Sequence, residues 1–393
     1  MSETSRADAK MILALALVHF TGDFYASFVN PLLPVFLEEF SLSLTQIGFI
    51  AGMSRVLAFV AQPAAGYVAD HYRTRLFVLG GPLLAMIFIS LVGAAQGFFL
   101  LLLFIAIGSI GQAMFHPTTA GMISAYSGRR FGLCMSVFNT GGTLAFGLGP
   151  LFITYFVHSY GLQASPFAMI VGLPLMIILF RTVPPPRGAA LKKMGFMASI
   201  KEAMGDVWKP IVLIGLVTVF RSFVSQSFVV FVPILYSQKG YSLVSIGLIV
   251  SLFTVAGALS GLFAGHLSDR IGYKRVFVLS FALSTPALFL MLILPGSWIF
   301  FSAFLCGVVV MATLPLGVVW AQDLAPKGRA MVSSLMMGLA FGIGGMMIPV
   351  AGKLADVSSI RFVLGLMAII PLLMIGPIFF LPERGMKGGT SSF

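Results

Sequence analysis

The chain contains 393 residues, of which 59% are hydrophobic and 9% are charged, and its mean hydropathy is +1.03. Soluble proteins carry about 25% charged residues, so this composition excludes a soluble globular protein. The formal net charge of +12 raises the question of nucleic-acid binding, but the positions of the basic residues, given below, argue against it. Long apolar runs between short polar loops are typical of a polytopic helical membrane protein.

The first apolar segment extends from about Met11 to Phe36 and contains the stretch HFTGDFYASFVNPLLP. It is too long for a signal peptide and carries two titratable residues, so we interpret it as a retained helix. Asp23 is the only carboxylate predicted deep in the membrane, and His19, four residues earlier, shares its helical face. A charge at that depth costs roughly 2.5–3.5 kcal/mol and usually faces a functional cavity. The alternative is a structural hydrogen bond between packed helices.

Hydropathy predicts twelve membrane-spanning helices, which puts both termini on the same side of the membrane. They lie near residues 11–36, 46–69, 75–95, 98–125, 131–157, 163–182, 210–236, 244–267, 275–295, 297–321, 329–353 and 358–382.

The basic residues are distributed asymmetrically between the predicted loops. Of the 24 lysines and arginines, all but five fall on the side of the termini; Lys239, Lys353 and Arg361 lie on the opposite side, and Arg55 and Arg221 lie inside spans. Basic residues favour the cytoplasmic side, so the termini are predicted to be cytoplasmic in a bacterial inner membrane. The positive charge is therefore a feature of topology, and no nucleic-acid partner is expected.

The longest polar connection divides the spans six and six. It predicts an N-terminal six-helix bundle at 1–182, a cytoplasmic linker at 183–209 and a C-terminal bundle at 210–393. Within the linker, apolar residues recur at helical spacing, which predicts a short amphipathic helix on the inner membrane surface or, alternatively, a partner-binding helix; they are Phe196, Ile200, Met204 and Val207.

The two halves carry the same residues at a constant offset of 199 positions. Eight pairs in this register indicate a duplicated six-helix unit: Pro34/Pro233, Ser43/Ser242, Ile47/Ile246, Gly48/Gly247, Gly66/Gly265, Asp70/Asp269, Arg130/Arg329 and Pro150/Pro349. Two such units with a site between them near the midplane are typical of an alternating-access transporter.

Two loops carry a related motif, GYVADHYRTR after the second span and GHLSDRIGYKR after the eighth. The second resembles the signature of the major facilitator superfamily, whereas the first has His71 and Arg73 at two signature positions. The resemblance covers the whole chain and implies an all-α membrane protein with twelve transmembrane helices in two pseudo-symmetric six-helix bundles. The charged residues of the two motifs are predicted to form charge pairs that change during transport; the alternative is that they are only solvated. The motif residues are Gly66, Asp70, Arg75, Gly265, Asp269, Arg270, Lys274 and Arg275.

Several stretches of the first half resemble the fosmidomycin-resistance type of bacterial efflux protein. They are the segment His19–Pro34, SLSLTQIGFI, the Gln62-Pro63 pair, FHPTTAGM and GRRFGLCMSVFNTGG. This resemblance implies proton-driven export of small hydrophilic or amphiphilic compounds, with a phosphonate antibiotic as one candidate.

The superfamily resemblance also implies which spans line the cavity, namely the first, fourth, seventh and tenth. That places His19, Asp23, Gln112, His116 and Arg221 at the cavity, where Asp23, His19 and His116 are expected to couple protons and Arg221 and Gln112 to bind substrate. Arg55, near mid-membrane on the second span, and Asn139, on the fifth, are the further substrate-binding candidates. Guanidinium groups suit phosphonate or carboxylate anions. Open alternatives are a permanent Arg55–Asp23 pair, an Arg221 bound to helix-end carbonyls, and histidines that only form structural hydrogen bonds.

These patterns together predict a secondary transporter that exports a small, anionic compound in exchange for protons and works as a monomer in the lipid bilayer. A proton-coupled importer or anion exchanger on the same fold is the main alternative. No nucleophile–base pair, metal-ligand cluster or nucleotide loop indicates an enzyme, and neither a metal nor a cofactor is expected. A receptor that binds without transporting is the remaining alternative.

Overall fold

The computed structural model describes residues 7–71, 75–185, 205–325 and 329–383, and every regular element in these ranges is helical. This finding confirms the predicted all-α class. In chain order the α-helices are α1 (Ala9–Ala26), α2 (Val29–Glu39), α3 (Leu44–His71), α4 (Gly81–Ser90), α5 (Phe98–Tyr126), α6 (Phe131–Tyr160), α7 (Met169–Thr182), α8 (Trp208–Gln238), α9 (Leu243–Ile271), α10 (Tyr273–Ile293), α11 (Trp298–Met311), α12 (Thr313–Leu324), α13 (Arg329–Met346), α14 (Ile348–Val357) and α15 (Ile360–Phe379).

Eleven of the twelve predicted spans are long and apolar enough to cross a membrane, counted over the described residues. The remaining span, predicted at 329–353, consists of α13 and α14, which are separated at Met347. Proline lacks a backbone N–H and suits the first turn of a helix, and Pro349 occupies that place in α14. The interruption therefore follows from the local sequence.

The first span is divided in a similar way. It runs from Ala9 to Glu39, but α1 ends at Ala26 and α2 begins at Val29. The Ser27 hydroxyl donates to the Phe24 carbonyl at 2.7 Å, a bond that competes with the helical ladder. This break lies just beyond Asp23 and separates the polar part of the span from its proline-containing end.

Packing groups the described residues into two compact units. The first unit contains the described residues of 1–192, 229–255 and 345–360. The second unit contains the described residues of 193–228, 256–344 and 361–393. The first unit thus includes short segments of the second sequence repeat, and the boundaries 1–182, 183–209 and 210–393 stay a prediction. The predicted amphipathic helix lies mostly outside the described residues, since 186–204 are not covered.

Each unit has its own core. In the first, α1 packs against α4, α5 and α6. In the second, a buried cluster surrounds Trp320, which contacts the rings of Tyr273 and Phe277. The central position of α1 explains why its polar residues are buried despite their membrane setting.

One pair of contacts repeats the sequence duplication in three dimensions. Arg75 donates to the Phe180 carbonyl at 3.2 Å, and Lys274 donates to the Phe379 carbonyl at 2.8 Å. Both donors and both acceptors are 199 residues apart. Cations at a helix C-terminus satisfy carbonyls that lack an intrahelical partner, so these basic residues cap the last helix of each repeat.

Candidate functional site

His19 and Asp23 lie on one face of α1, as predicted. His19 Nε2 is 3.0 Å from Asp23 Oδ2, and both side chains are buried. One turn of helix separates the two residues, which brings their heads together without any distortion. Burial of two titratable groups in a membrane helix requires partners from neighbouring helices.

Helix α5 supplies two of those partners. Gln112 donates to Asp23 Oδ1 at 3.0 Å, and His116 Nε2 lies 3.1 Å from the same oxygen. The two residues are also one turn apart, so a single face of α5 meets the carboxylate. The structure thereby brings together four residues predicted from the sequence, which we call the Asp23 cluster: His19, Asp23, Gln112 and His116.

Helix α6 fixes the orientation of the His19 ring. Its Nδ1 is 2.9 Å from the Phe138 carbonyl, and the Phe138 ring stacks on the imidazole with centroids 4.2 Å apart. Gly142, one turn further, leaves room for the pair, because a Cβ there would lie 2.6 Å from His19 Nε2. The close approach of α1 and α6 thus depends on a glycine facing the histidine.

These contacts determine where protons must be. A carbonyl oxygen can only accept a hydrogen bond, so His19 Nδ1 carries a hydrogen. If His19 Nε2 and Asp23 Oδ2 were both unprotonated, two lone pairs would face each other at 3.0 Å. A hydrogen bond between these two atoms therefore requires a proton on one of them.

His116 gives the cluster its contact with the surroundings. Its side chain is 30% exposed, whereas that of Asp23 is 4% exposed. The two imidazole rings meet edge to face with centroids 5.0 Å apart. His116 is therefore more exposed than either of the other two titratable members of the cluster, His19 and Asp23.

Three members of the cluster also offer donor atoms that a transition metal uses. These atoms, from His19, Asp23 and His116, lie within 4.8 Å of one another. Every short contact among them is explained by a hydrogen bond, so we assign no metal site.

Arg221, on α8, occupies a different kind of environment in the second unit. Its guanidinium donates to the hydroxyls of Ser284 and Ser280 at 2.6 and 2.5 Å and to the Val309 carbonyl at 2.6 Å. It also lies over the Phe281 ring, 4.5 Å from the centroid. The residue is 1% exposed. This set of neighbours, the Arg221 site, holds a cation with neutral groups alone.

Arg55, on α3, is half-buried and is not paired with Asp23, since the ion pairs of that carboxylate in the described chain are with histidines. A Cβ on Gly345 would lie 2.5 Å from Arg55 Cβ, so the arginine stem packs against a glycine. Asn139 is exposed on α6. The structure thus leaves Arg55 and Asn139 outside the Asp23 cluster.

A family model named Major Facilitator Superfamily matches residues 15–247 and 214–392. The chain belongs to the major facilitator superfamily. It is therefore a membrane transporter for small molecules rather than an enzyme, as the sequence predicted.

Relatives and solved structures support this membership. The chain is 28% identical over 391 residues to the fosmidomycin resistance protein of Escherichia coli (strain K12), covering 98% of this chain and 95% of the relative. It is 26% identical to the multidrug resistance protein MdtG of Dickeya zeae, covering 80% of each. Its fold is similar to that of a bacterial homologue of the human lysosomal transporter Spinster, with a TM-score of 0.78, 17% identity and coverage of 97% and 98%.

The residues of the superfamily motif are placed at helix ends. Arg75 and Lys274 bind helix-end carbonyls, whereas Asp269, Arg270 and Arg275 lie at the junction of α9 and α10 and are exposed. Gly265 has open space beside it. The surroundings of Gly66 and Asp70 lie outside what the structure describes, so changing charge pairs at the motif stay a prediction.

Sequence reasoning missed the contribution of α6 to the cluster. The Phe138 carbonyl carries no side-chain signal, so no residue type could have indicated it. The adjacent glycines of FNTGG were a usable signal, because small residues mark close helix approach. Gly141 faces the backbone of Ala16, and Gly142 faces His19.

Proposed function

We propose that this transporter exports a small anionic compound, such as a phosphonate antibiotic, from a bacterial cytoplasm in exchange for protons. It works as a monomer by alternating access, with both termini on the cytoplasmic side. The Asp23 cluster binds the proton, and the arginines select the anion. The basic residues that flank the spans on the side of the termini support this orientation.

The observation that carries the proposal is the contact between His19 Nε2 and Asp23 Oδ2. With Nδ1 committed to the Phe138 carbonyl, the contact at 3.0 Å exists only while one proton is present. Loss of that proton turns a hydrogen bond into a repulsive contact between lone pairs. Because His19 links α1 to α6, proton release changes the interaction between two packed helices.

The other two cluster members have complementary roles. Gln112 cannot titrate, so its hydrogen bond to Oδ1 orients the carboxylate in both protonation states. His116 binds the same oxygen and is partly exposed, which suits it to carry protons between water and Asp23. Gln112 thus holds the Asp23 carboxylate in place, and His116 carries protons to and from it.

Anion selection is assigned to Arg55 and Arg221. A guanidinium is permanently charged and presents paired donors that match a phosphonate or carboxylate. The carboxylate of Asp23 does not occupy Arg55, which leaves that cation available for a substrate. The name of the fosmidomycin-resistance relative supports fosmidomycin as the first compound to test.

The test is transport in vesicles reconstituted with purified protein. Under an imposed pH gradient, fosmidomycin is expected to move against the proton flow in the parent chain. Asp23→Asn keeps the size and an acceptor oxygen but does not titrate, so gradient-driven transport should fall to background. The control is Glu38→Gln, which removes an exposed carboxylate outside the cluster.

Two outcomes contradict the proposal. Undiminished gradient-driven transport by Asp23→Asn would remove this carboxylate from coupling. Movement of the compound in the same direction as protons, in the parent chain, would identify a proton-coupled importer instead.

A further inference from the structure

One carboxylate closes the first turn of α3 from a distant part of the chain. Asp356, near the end of α14, accepts hydrogen bonds from the backbone N–H of Leu44 at 2.8 Å and of Thr45 at 3.0 Å, and from the Thr45 hydroxyl at 2.5 Å. Helix α3 begins at Leu44. The first N–H groups of a helix lack intrahelical partners and favour an anion, so Asp356 caps α3 in trans.

The backbone packing beneath this cap is unusually close. A Cβ on Gly48 would lie 2.7 Å from Pro349 Cα, and one on Gly52 would lie 2.7 Å from the Gly345 carbonyl oxygen. Gly352 faces the Leu44 carbonyl. Glycines thus let α3 meet residues 345–357 backbone to backbone. We call this contact, within the first compact unit, the outer seam, because it lies at the end of α3 opposite the predicted cytoplasmic loops.

A comparison with the second repeat separates the trans cap from ordinary helix capping. Ser43 caps α3 locally, since its hydroxyl accepts from the Gln46 N–H at 3.2 Å. Ser242, 199 residues on, does the same for α9 by accepting from the Ser245 N–H at 3.2 Å. The position equivalent to Asp356 is Val157, which has no acceptor side chain. In the described part of the chain, both repeats have the local cap, whereas the trans cap is seen at α3 and not at α9.

We propose that Asp356 is a latch residue of the transport cycle, whose hydrogen bonds hold the outer seam closed and break each time the pathway opens to that side. This proposal rests on alternating access but not on proton coupling or on the identity of the substrate. Asp356 acts through α3 and does not contact the Asp23 cluster, so it is a positioning residue.

The latch is ionised at physiological pH. Partial burial raises the pKa of Asp356, but the hydrogen bonds from Thr45 and Leu44, together with the charge of Lys353, outweigh it, so the pKa lies below its usual range. A carboxylate with a lowered pKa keeps its contacts above its ordinary pKa and loses them only as the pH falls through the lowered value. The hydrogen bonds of Asp356 therefore stabilise the closed outer seam equally at all pH values near neutrality.

The test measures the width of the outer seam directly by pulsed electron spin resonance. Both native cysteines are buried and are replaced by serine. Spin labels are attached to cysteines introduced at Phe49 and Val357, which are exposed on α3 and α14. Distances are recorded in lipid nanodiscs without substrate, in Asp356→Ala, Asp356→Asn, Thr45→Val and the control Glu38→Gln.

Asp356→Ala should raise the ratio of wide to narrow distances by about tenfold or more, since all three hydrogen bonds to the carboxylate are lost. Asp356→Asn and Thr45→Val should give intermediate shifts, and Glu38→Gln none. If Asp356→Ala does not fold, the distance distribution of monodisperse Thr45→Val protein still tests the proposal.

An unchanged distance distribution in the folded Asp356 and Thr45 variants would overturn the latch, as would an equal shift in Glu38→Gln. The measurement uses neither a proton gradient nor fosmidomycin. Its failure is therefore distinguishable from failure of the proposed proton-coupled export.

Discussion

The Asp23 cluster of the first repeat and the Arg221 site of the second both bury a charge, but they stabilise it in different ways. Asp23 is held by two imidazoles and an amide, so most of its partners can gain or lose a proton. Arg221 is held by hydroxyls, a carbonyl and an aromatic face, none of which titrates near neutrality. We therefore propose that protonation changes the charge of the Asp23 cluster, whereas the charge of Arg221 is permanent.

The sequence duplication allows the two repeats to be compared position by position. Each member of the Asp23 cluster has a counterpart 199 residues later that cannot exchange protons: Thr218, Ser222, Met311 and Pro315 replace His19, Asp23, Gln112 and His116. Thr218 satisfies its hydroxyl on its own helix, at the Ile214 carbonyl. Proton chemistry is therefore expected only in the first repeat.

The largest effect expected from this comparison is that of His19→Gln. Glutamine keeps hydrogen-bonding capacity but cannot titrate, so gradient-driven transport should fall about tenfold or more and its pH dependence should flatten. Transport rates in vesicles between pH 6 and 8 provide the measurement. Thr218→Val at the equivalent position is the matched control and should retain the pH profile; a flattened profile in this variant as well would contradict the assignment to the first repeat.

A second, smaller effect is expected from changes to the permanent charge of Arg221. Arg221→Met should raise the KM for the anion about tenfold, because a guanidinium bond to an anion contributes ~1.5 kcal/mol or more, and Arg221→Lys should fall between Met and the parent. Neither change should move the pH profile. Uptake kinetics at several pH values check both statements. If the pH profile shifted in Arg221→Lys, the two sites would not be divided as we describe.

The smallest effect expected is that of Gly142→Ala. The added methyl group would meet His19 Nε2, so the ring must move, with a cost of about 1–3 kcal/mol and weaker coupling. The thermal unfolding midpoint and the transport rate report the two consequences. Gly132→Ala, on the same helix and with open space beside it, is the control. Equal behaviour of the two variants would show that the close approach at Gly142 is not needed.

Much of the fold could be predicted from the sequence because apolar length and register are local properties. The spans and the 199-residue offset needed no three-dimensional information, and Arg75 and Lys274 later displayed the same offset in their contacts. The break at Met347 was less evident, since it depends on how Pro349 starts a helix within an apolar run.

The site was predictable only in part. Depth and helical spacing indicated His19 and Asp23, and the superfamily resemblance placed them at one cavity with Gln112 and His116. Spacing cannot indicate partners that come from backbone atoms or from distant segments. The Phe138 carbonyl, which fixes the His19 tautomer, and Asp356, which lies 311 residues from Thr45, both required the fold.

The most direct test of the central claim is to count protons released when substrate binds to purified protein. Fosmidomycin is titrated into weakly buffered protein near pH 7, and proton release is followed with a pH indicator. The account predicts release of about one proton per bound molecule in the parent chain and none in Asp23→Asn, because binding and protonation are linked through this pair. Binding without proton release by the parent chain, or unchanged release by Asp23→Asn, would contradict it.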